Sequence, residues 1–232
     1  MKSPVAPAAG DFLLRDHPEK NDIIDVANEL ADVARQVTLS YFRTRGLAAD
    51  NKDVAGGFDP VTAADKAAEA AMREILAARR PDDAILGEEY GTKGGTSGLR
   101  WVLDPIDGTR AFLCGSPTWG VLISVEDGDG PIFGIVDQPH IGERFLGGFE
   151  RAEFLRGAER SELACRQCPA LSEAILLTTF PEVGSLIERQ AFEAVRDQVK
   201  LTRYGLDCYG YALVASGQVD MVIEAGLSAY DI

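Results

Sequence analysis

Histidine is almost missing from this chain: its 232 residues include only His17 and His140, far apart and in no ligand-like pattern. A phosphohistidine mechanism has little to draw on. Cysteine is scarce as well. Cys114, Cys165, Cys168 and Cys208 are too few and too irregular for the disulfide framework of a small secreted domain. Cys165-Arg-Gln-Cys168 is a lone C-x-x-C, and zinc would need two further Cys or His at suitable spacing. Basic residues are outnumbered 23 to 37, for a net charge of −14, and no basic stripe interrupts the acidity. That excludes nucleic acid and anionic membrane surfaces as partners. No segment reaches the roughly eighteen apolar residues of a membrane helix, and MKSPVAPAAGDFLLRDHPEK, the first twenty residues, lacks the apolar core of a signal peptide. Cytoplasm is the expected compartment. With 46% hydrophobic and 26% charged residues, what remains reads as an ordinary globular chain of one or two domains, long enough for a sizeable core. If such an acidic protein handles a phosphate, cations must stand between the two.

The chain is organised around Trp101 to Trp119, WVLDPIDGTRAFLCGSPTW. Asp104 and Asp107 stand three residues apart. Pro105 blocks a regular helix between them and Gly108-Thr109 permits a sharp turn, so a strand is expected to end at the acids. Two carboxylates, the Ile106 carbonyl and the Thr109 hydroxyl on one loop suit a hard cation such as Mg²⁺. An isolated D-x-x-D is more often turn and capping chemistry; the other acids of the chain shift that balance.

In chain order, residues 1–20 read as a mobile tail unless Phe12, Leu13 and Leu14 dock. An amphipathic helix is expected from Asn21 until Gly46 stops it. Lys52 to Phe58 reads as a loop. A second helix starts near Thr62, where Thr62-x-x-Asp65 allows a capping arrangement, and Pro81 bounds its end. Asp65 can be simply that cap. Ala84-Ile85-Leu86 reads as a short buried strand delivering Gly87-Glu88-Glu89, and residues 91–98, GTKGGTSG, as a flexible loop. That loop lacks the G-x-x-x-x-G-K-[ST] spacing of a nucleotide-cradling turn. Val121 to Val125 and Ile132 to Val136 form a hairpin over a four-residue loop, and Glu143 to Phe149 extends it into an antiparallel meander. From about residue 160 strands and helices alternate: Ala174 to Thr178, Ser185 to Gln198, Leu201 to Tyr204, Asp207 to Ser216, Val219 to Ile223. The expected organisation is a 1–20 tail, a 21–158 α+β half and a 159–232 α/β half, with the site between the halves.

Asp59, Asp65, Glu88, Asp104, Asp107, Thr109 and Asp231 thus recur on loops and element ends. DPVTAADKAAE (59–69), GEEYG (87–91) and WVLDPIDGTRAF (101–112) resemble three motifs of the inositol monophosphatase superfamily of Mg²⁺-dependent, lithium-sensitive phosphatases, and AYDI (229–232) resembles the start of its fourth. The haloacid dehalogenase signature requires D-x-D and does not fit. The resemblance implies an α/β fold, a layered α-β-α-β-α sandwich. It implies two or three Mg²⁺ ions: Glu88, Asp104 and the Ile106 carbonyl would hold the first, Asp104, Asp107 and Asp231 the second, and a third, weaker one would lie near Glu88. Asp65 and Thr109 would help deprotonate the attacking water, with Glu88 counted in the catalytic set, and the amides of Gly108 and Thr109 would bind phosphate oxygens. A homodimer is common in the family.

LTRYGLDCYGYALVASG (201–217), GTRAF and VDQPHIGERFLG (136–147) resemble the histidinol-phosphate phosphatase branch. Asp207 and Glu224 would then meet a cationic amino alcohol, although Asp207 also reads as a helix N-cap. Leu206 departs from a second Gly usual there. The family pattern continues past Asp231 with a helix and further strands, so Asp231 is expected on a frayed end with a weakened second metal site. The activity implied is Mg²⁺-dependent hydrolysis of a small phosphate monoester, L-histidinol phosphate first. Inositol monophosphatase, or a broad sugar-phosphate and nucleotide 3′-phosphatase, is the alternative within the class, and an inactive metal-binding or regulatory relative the alternative outside it.

Overall fold

The computed structural model describes residues 17–47, 49–51 and 60–231. The expected tail, the Lys52 to Phe58 loop and Asp59 therefore fall almost wholly outside the described residues. Among those described, the elements are α1 (Lys20–Tyr41), β1 (Ala49–Asn51), β2 (Pro60–Thr62), α2 (Ala63–Arg79), β3 (Ala84–Gly87), β4 (Gly91–Lys93), β5 (Arg100–Asp107), α3 (Thr109–Cys114), β6 (Gly120–Asp127), β7 (Gly130–Gln138), β8 (Glu143–Gly148), β9 (Arg151–Arg156) and β10 (Glu159–Glu162). A 3₁₀ turn (Leu171–Glu173), β11 (Ile175–Thr178), α4 (Leu186–Arg196), β12 (Leu201–Tyr204), α5 (Asp207–Ala215) and β13 (Met221–Val222) follow.

Strand alternation explains the layering. Eight strands form one sheet in the order β10-β9-β8-β7-β6-β5-β3-β4, antiparallel except where β3 runs beside β5. Val121, Ile123 and Val125 of β6, with Trp101 and Leu103 of β5, face α1 and α2 and share a core with Ile23, Leu30 and Met72. Each such side chain, fully buried, contributes about 1.5–3 kcal/mol relative to exposure. Gly120, on the opposite face of β6, lies against Cys208 of α5. In the small parallel sheet β12-β11-β13, Leu177 turns toward Gly210 of α5, whereas its neighbour Leu176 packs with Phe192 of α4. The order is therefore helix pair, large sheet, α5, small sheet, α4. This is the mixed α/β sandwich that the resemblance implies.

β5 ends at the acids, as expected, with Asp107 its last residue, and a bulge absorbs Pro105, whose missing N–H a regular ladder would not tolerate. Three local expectations change. The β6–β7 hairpin is tighter than expected: Asp127 pairs with Gly130, leaving only Gly128 and Asp129 as the loop. Residues 91–93 leave the expected loop to form edge strand β4 on β3. β9 and β10, rich in charge, add two strands that the apolar pattern did not announce.

Candidate active site

The bulge in β5 decides where the two aspartates point. Residues three apart on a regular strand face opposite sides. Between Asp104 and Asp107, however, β5 advances three residues while β6 advances two, from Leu122 to Gly120. One extra residue returns both carboxylates to the same face. Asp104 Oδ1 accepts the Ile106 N–H at 3.0 Å, closing the bulge on itself. Gly108 then adopts φ +82, the left-handed region that suits glycine, and α3 begins at Thr109.

A cavity of about 330 Å³ opens here, lined by Glu88, Asp104, Ile106, Asp107, Gly108, Thr109, Asp207, Glu224 and Asp231. Every residue expected to bind metal or substrate is among them. Asp65 is not on the wall. It is fully buried behind Thr109. Its Oδ2 accepts the Thr62 N–H at 2.9 Å and the Thr62 hydroxyl at 2.5 Å, completing a capping box, while Oδ1 faces Thr109 Oγ1 at 3.4 Å. Asp65 is thus both helix cap and neighbour of the site.

Carboxylate oxygens of Asp104, Asp107 and Asp231 lie within 4.8 Å of one another. Burial pushes the Asp104 carboxyl well above the ordinary carboxylate range, and the charges of Glu88 and Asp107 push it further. Asp107 is raised by burial too, against the pull of Cys208, whose backbone N–H reaches Asp107 Oδ2 at 2.6 Å. A partly buried all-oxygen cluster under mutual repulsion is a donor set that a hard divalent cation relieves, so these residues fit Mg²⁺. Asp231 is tied back by reciprocal bonds with Ser228, whose N–H it accepts at 2.7 Å.

Beside Gly108, Asp207 is the first residue of α5 and not its N-cap, which is Leu206. Leu206 sits at φ −111, so no glycine is needed there, while Gly205 carries φ +80 and Asp207 itself is strained at φ +48. Burial, then the charge of Asp107, raises the Asp207 carboxyl to about 7, with Thr118 and Arg110 pulling it down. Glu224 accepts the Thr179 N–H at 2.6 Å, which fixes it at the end of β11.

Arg110, Phe180 and Tyr211 also line the cavity, and the sequence reading gave them no role. The Arg110 guanidinium lies 5.1 Å from the Phe180 ring centroid. Their signal was adjacency: Arg110 follows Thr109 in GTRAF, and Tyr211 lies one helical turn beyond Asp207.

The model of the inositol monophosphatase family matches residues 19–232. The chain belongs to the inositol monophosphatase family. An inositol monophosphatase from Zymomonas mobilis superposes with a TM-score of 0.78 at 39% identity, covering 94% of this chain and 81% of that one. The bifunctional phosphatase IMPL2 of Arabidopsis thaliana, a chloroplastic protein, is 45% identical over 89% of this chain, which spans 58% of that relative's length. A histidinol-phosphatase of Chlorobaculum parvum is 34% identical over 90% of this chain and 78% of its own. Enzymes of the inositol monophosphatase family are generally Mg²⁺-dependent phosphatases. Among the described residues no helix is long and apolar enough to cross a membrane.

Proposed function

We propose that this family member is a Mg²⁺-dependent phosphatase of L-histidinol phosphate. The observation that carries the reading is that one cavity is lined by an acidic cluster, Asp104, Asp107 and Asp231, and by two further acids, Asp207 and Glu224. The histidinol-phosphatase relative supports the choice of substrate. A phosphate monoester with a cationic amino group would meet cations held by the cluster through its phosphate and the remaining acids through its ammonium.

In this reading Glu88, Asp104 and the Ile106 carbonyl would hold one ion, and Asp104, Asp107 and Asp231 a second, with a weaker third expected near Glu88. When bound, the cations supply an acidified water and offset charge on the leaving oxygen. The chain's own residues move the proton. Thr109 Oγ1 has one hydrogen, shared between Asp65 Oδ1 at 3.4 Å and the Ile106 carbonyl at 3.2 Å. With that hydrogen turned to Asp65, the hydroxyl oxygen accepts from the attacking water, and the proton passes to the buried carboxylate. Asp65 Oδ2 is engaged by Thr62, which keeps Oδ1 aimed at Thr109. The amides of Gly108 and Thr109 orient phosphate oxygens. Asp207, raised by burial and by the charge of Asp107, is a carboxyl that an ammonium neighbour would hold ionised. The proposed assembly is a homodimer, testable by light scattering.

The test is phosphate release from histidinol phosphate and from inositol 1-phosphate, with and without Mg²⁺, using Asp104→Asn as the blank and Asp207→Ala as the discriminating variant. Metal-dependent turnover favouring histidinol phosphate, lost selectively in Asp207→Ala, supports the proposal. Comparable hydrolysis of both, with a uniform effect of Asp207→Ala, favours the alternative prompted by the Zymomonas mobilis neighbour, a general inositol or sugar phosphatase. Mg²⁺ binding without phosphate release would point to a regulatory relative.

A further inference from the structure

Glu69 lies one turn after Asp65 on α2, outside the cavity, and the proposed chemistry does not use it. Its carboxylate is 0% exposed. Oε2 accepts the Glu89 N–H at 2.7 Å, and Oε1 accepts the Tyr90 N–H at 3.2 Å and Arg73 Nε at 2.7 Å. Arg73 in turn donates to the Gly91 carbonyl at 2.5 Å. The fit leaves no slack: a Cβ added to Gly87 would come 1.9 Å from Glu69 Oε1. The turn from Gly87 to Gly91 is therefore tied to α2 by hydrogen bonds just after Glu88 and packed closely against it at Gly87, just before. Glu88 itself donates its N–H to the Leu103 carbonyl at 3.1 Å, one residue before Asp104.

We propose that Glu69 is a positioning residue that aims Glu88 at the Asp104 cluster. This rests on the reading of Glu88 as a metal ligand. A buried ion pair is a poor device for stability alone, since well-packed apolar residues do as well or better. Directional bonds to two successive amides do what apolar packing cannot: they fix the backbone that presents Glu88. Asp65 and Glu69, at i and i+4, share one helix face. Helix α2 thus sets both the proton-accepting carboxylate and the turn carrying a metal carboxylate.

The experiment measures Mn²⁺ affinity of the purified protein by electron paramagnetic resonance, beside the Mg²⁺ dependence of kcat. Glu69→Gln replaces one acceptor by a donor facing donors, and Arg73→Met removes the cation. Each is expected to weaken Mn²⁺ binding about tenfold to a hundredfold, and to raise the Mg²⁺ needed for half-maximal rate by the same factor, with kcat largely recovered at saturation. Glu74→Gln, exposed on the same helix, changes neither. If Glu88→Gln weakens Mn²⁺ binding while Glu69→Gln lowers only thermal stability, the positioning role is overturned and the ligand reading stands. If Glu88→Gln leaves Mn²⁺ affinity unchanged, the ligand reading falls and takes this inference with it. Should Glu69→Gln fail to fold, Glu69→Asp, which withdraws the same carboxylate by about one C–C bond of 1.5 Å, carries the comparison.

Discussion

Asp207 rests directly on Gly108: a Cβ placed on Gly108 would lie 2.8 Å from Asp207 Cγ and 2.9 Å from its Cβ. Two segments a hundred residues apart in the chain thus meet where the acidic cluster adjoins α5. Gly108→Ala is expected to cost about 1–2 kcal/mol from its φ of +82 alone, and more by displacing Asp207. Asp207→Gly removes the clashing atoms and relaxes a φ of +48. In a double-mutant cycle by urea denaturation the pair should couple favourably by about 0.5 kcal/mol or more. Strict additivity would mean that the contact carries no strain.

Asp104→Asn should separate stability from metal binding. In the metal-free protein it removes a buried acid crowded by Glu88 and Asp107, so the thermal midpoint at pH 7.5 should be equal to or higher than that of the parent. Mg²⁺ at a hundred times its Kd should stabilise the parent by about 2.7 kcal/mol and leave the variant unmoved. Equal Mg²⁺ shifts in both proteins would count against Asp104 as a ligand.

The buried carboxylate of Asp137 accepts from Arg35 at 2.9 and 2.6 Å and from Arg144 at 2.7 Å, pinning α1 to β7 and β8. Asp137→Ala removes the carboxylate shared by Arg35, which is partly exposed, and Arg144, which keeps Asn28 and Asp32, and should cost about 1.5–3 kcal/mol in chemical denaturation. A loss below about 1 kcal/mol, the size of a surface pair, would show the network to be dispensable.

Asp83 supplies a pH signature. Burial raises its carboxyl, but hydrogen bonds from Arg80, Ser97 and Trp101 and the Arg80 charge outweigh that and leave it below the usual carboxylate value. A carboxyl lowered on folding stabilises fully above its unfolded value near 3.9 and ceases to do so as pH falls through its folded value. Asp83→Asn should therefore lose about 1.5–3 kcal/mol at pH 7, the worth of charged hydrogen bonds, with the gap from the parent narrowing below pH 4. Trp101, whose Nε1 donates to Asp83 at 2.8 Å, reports the transition by fluorescence. A gap independent of pH would contradict the assignment.

By itself the sequence determined the chemistry on offer and most of the elements: the helices around Ile23 and Met72, the meander, the alternating second half, and the acids at Asp104 and Asp107 with a turn behind them. Those signals are local, because apolar periodicity, Gly-Thr turns and Thr62-x-x-Asp65 capping act within a few residues. Charged β9 and β10 escaped, since strands without apolar alternation look like loops. Only the tertiary structure decided how the acids point. The bulge that returns Asp104 and Asp107 to one face exists only because β6 supplies the opposing register. Only the packing of α5 onto the large sheet set Asp207 over Gly108, and only the meeting of α2 with the end of β3 gave Glu69 amides to hold. Local sequence carries residue type and spacing, whereas a direction in space is set by what the rest of the chain places opposite.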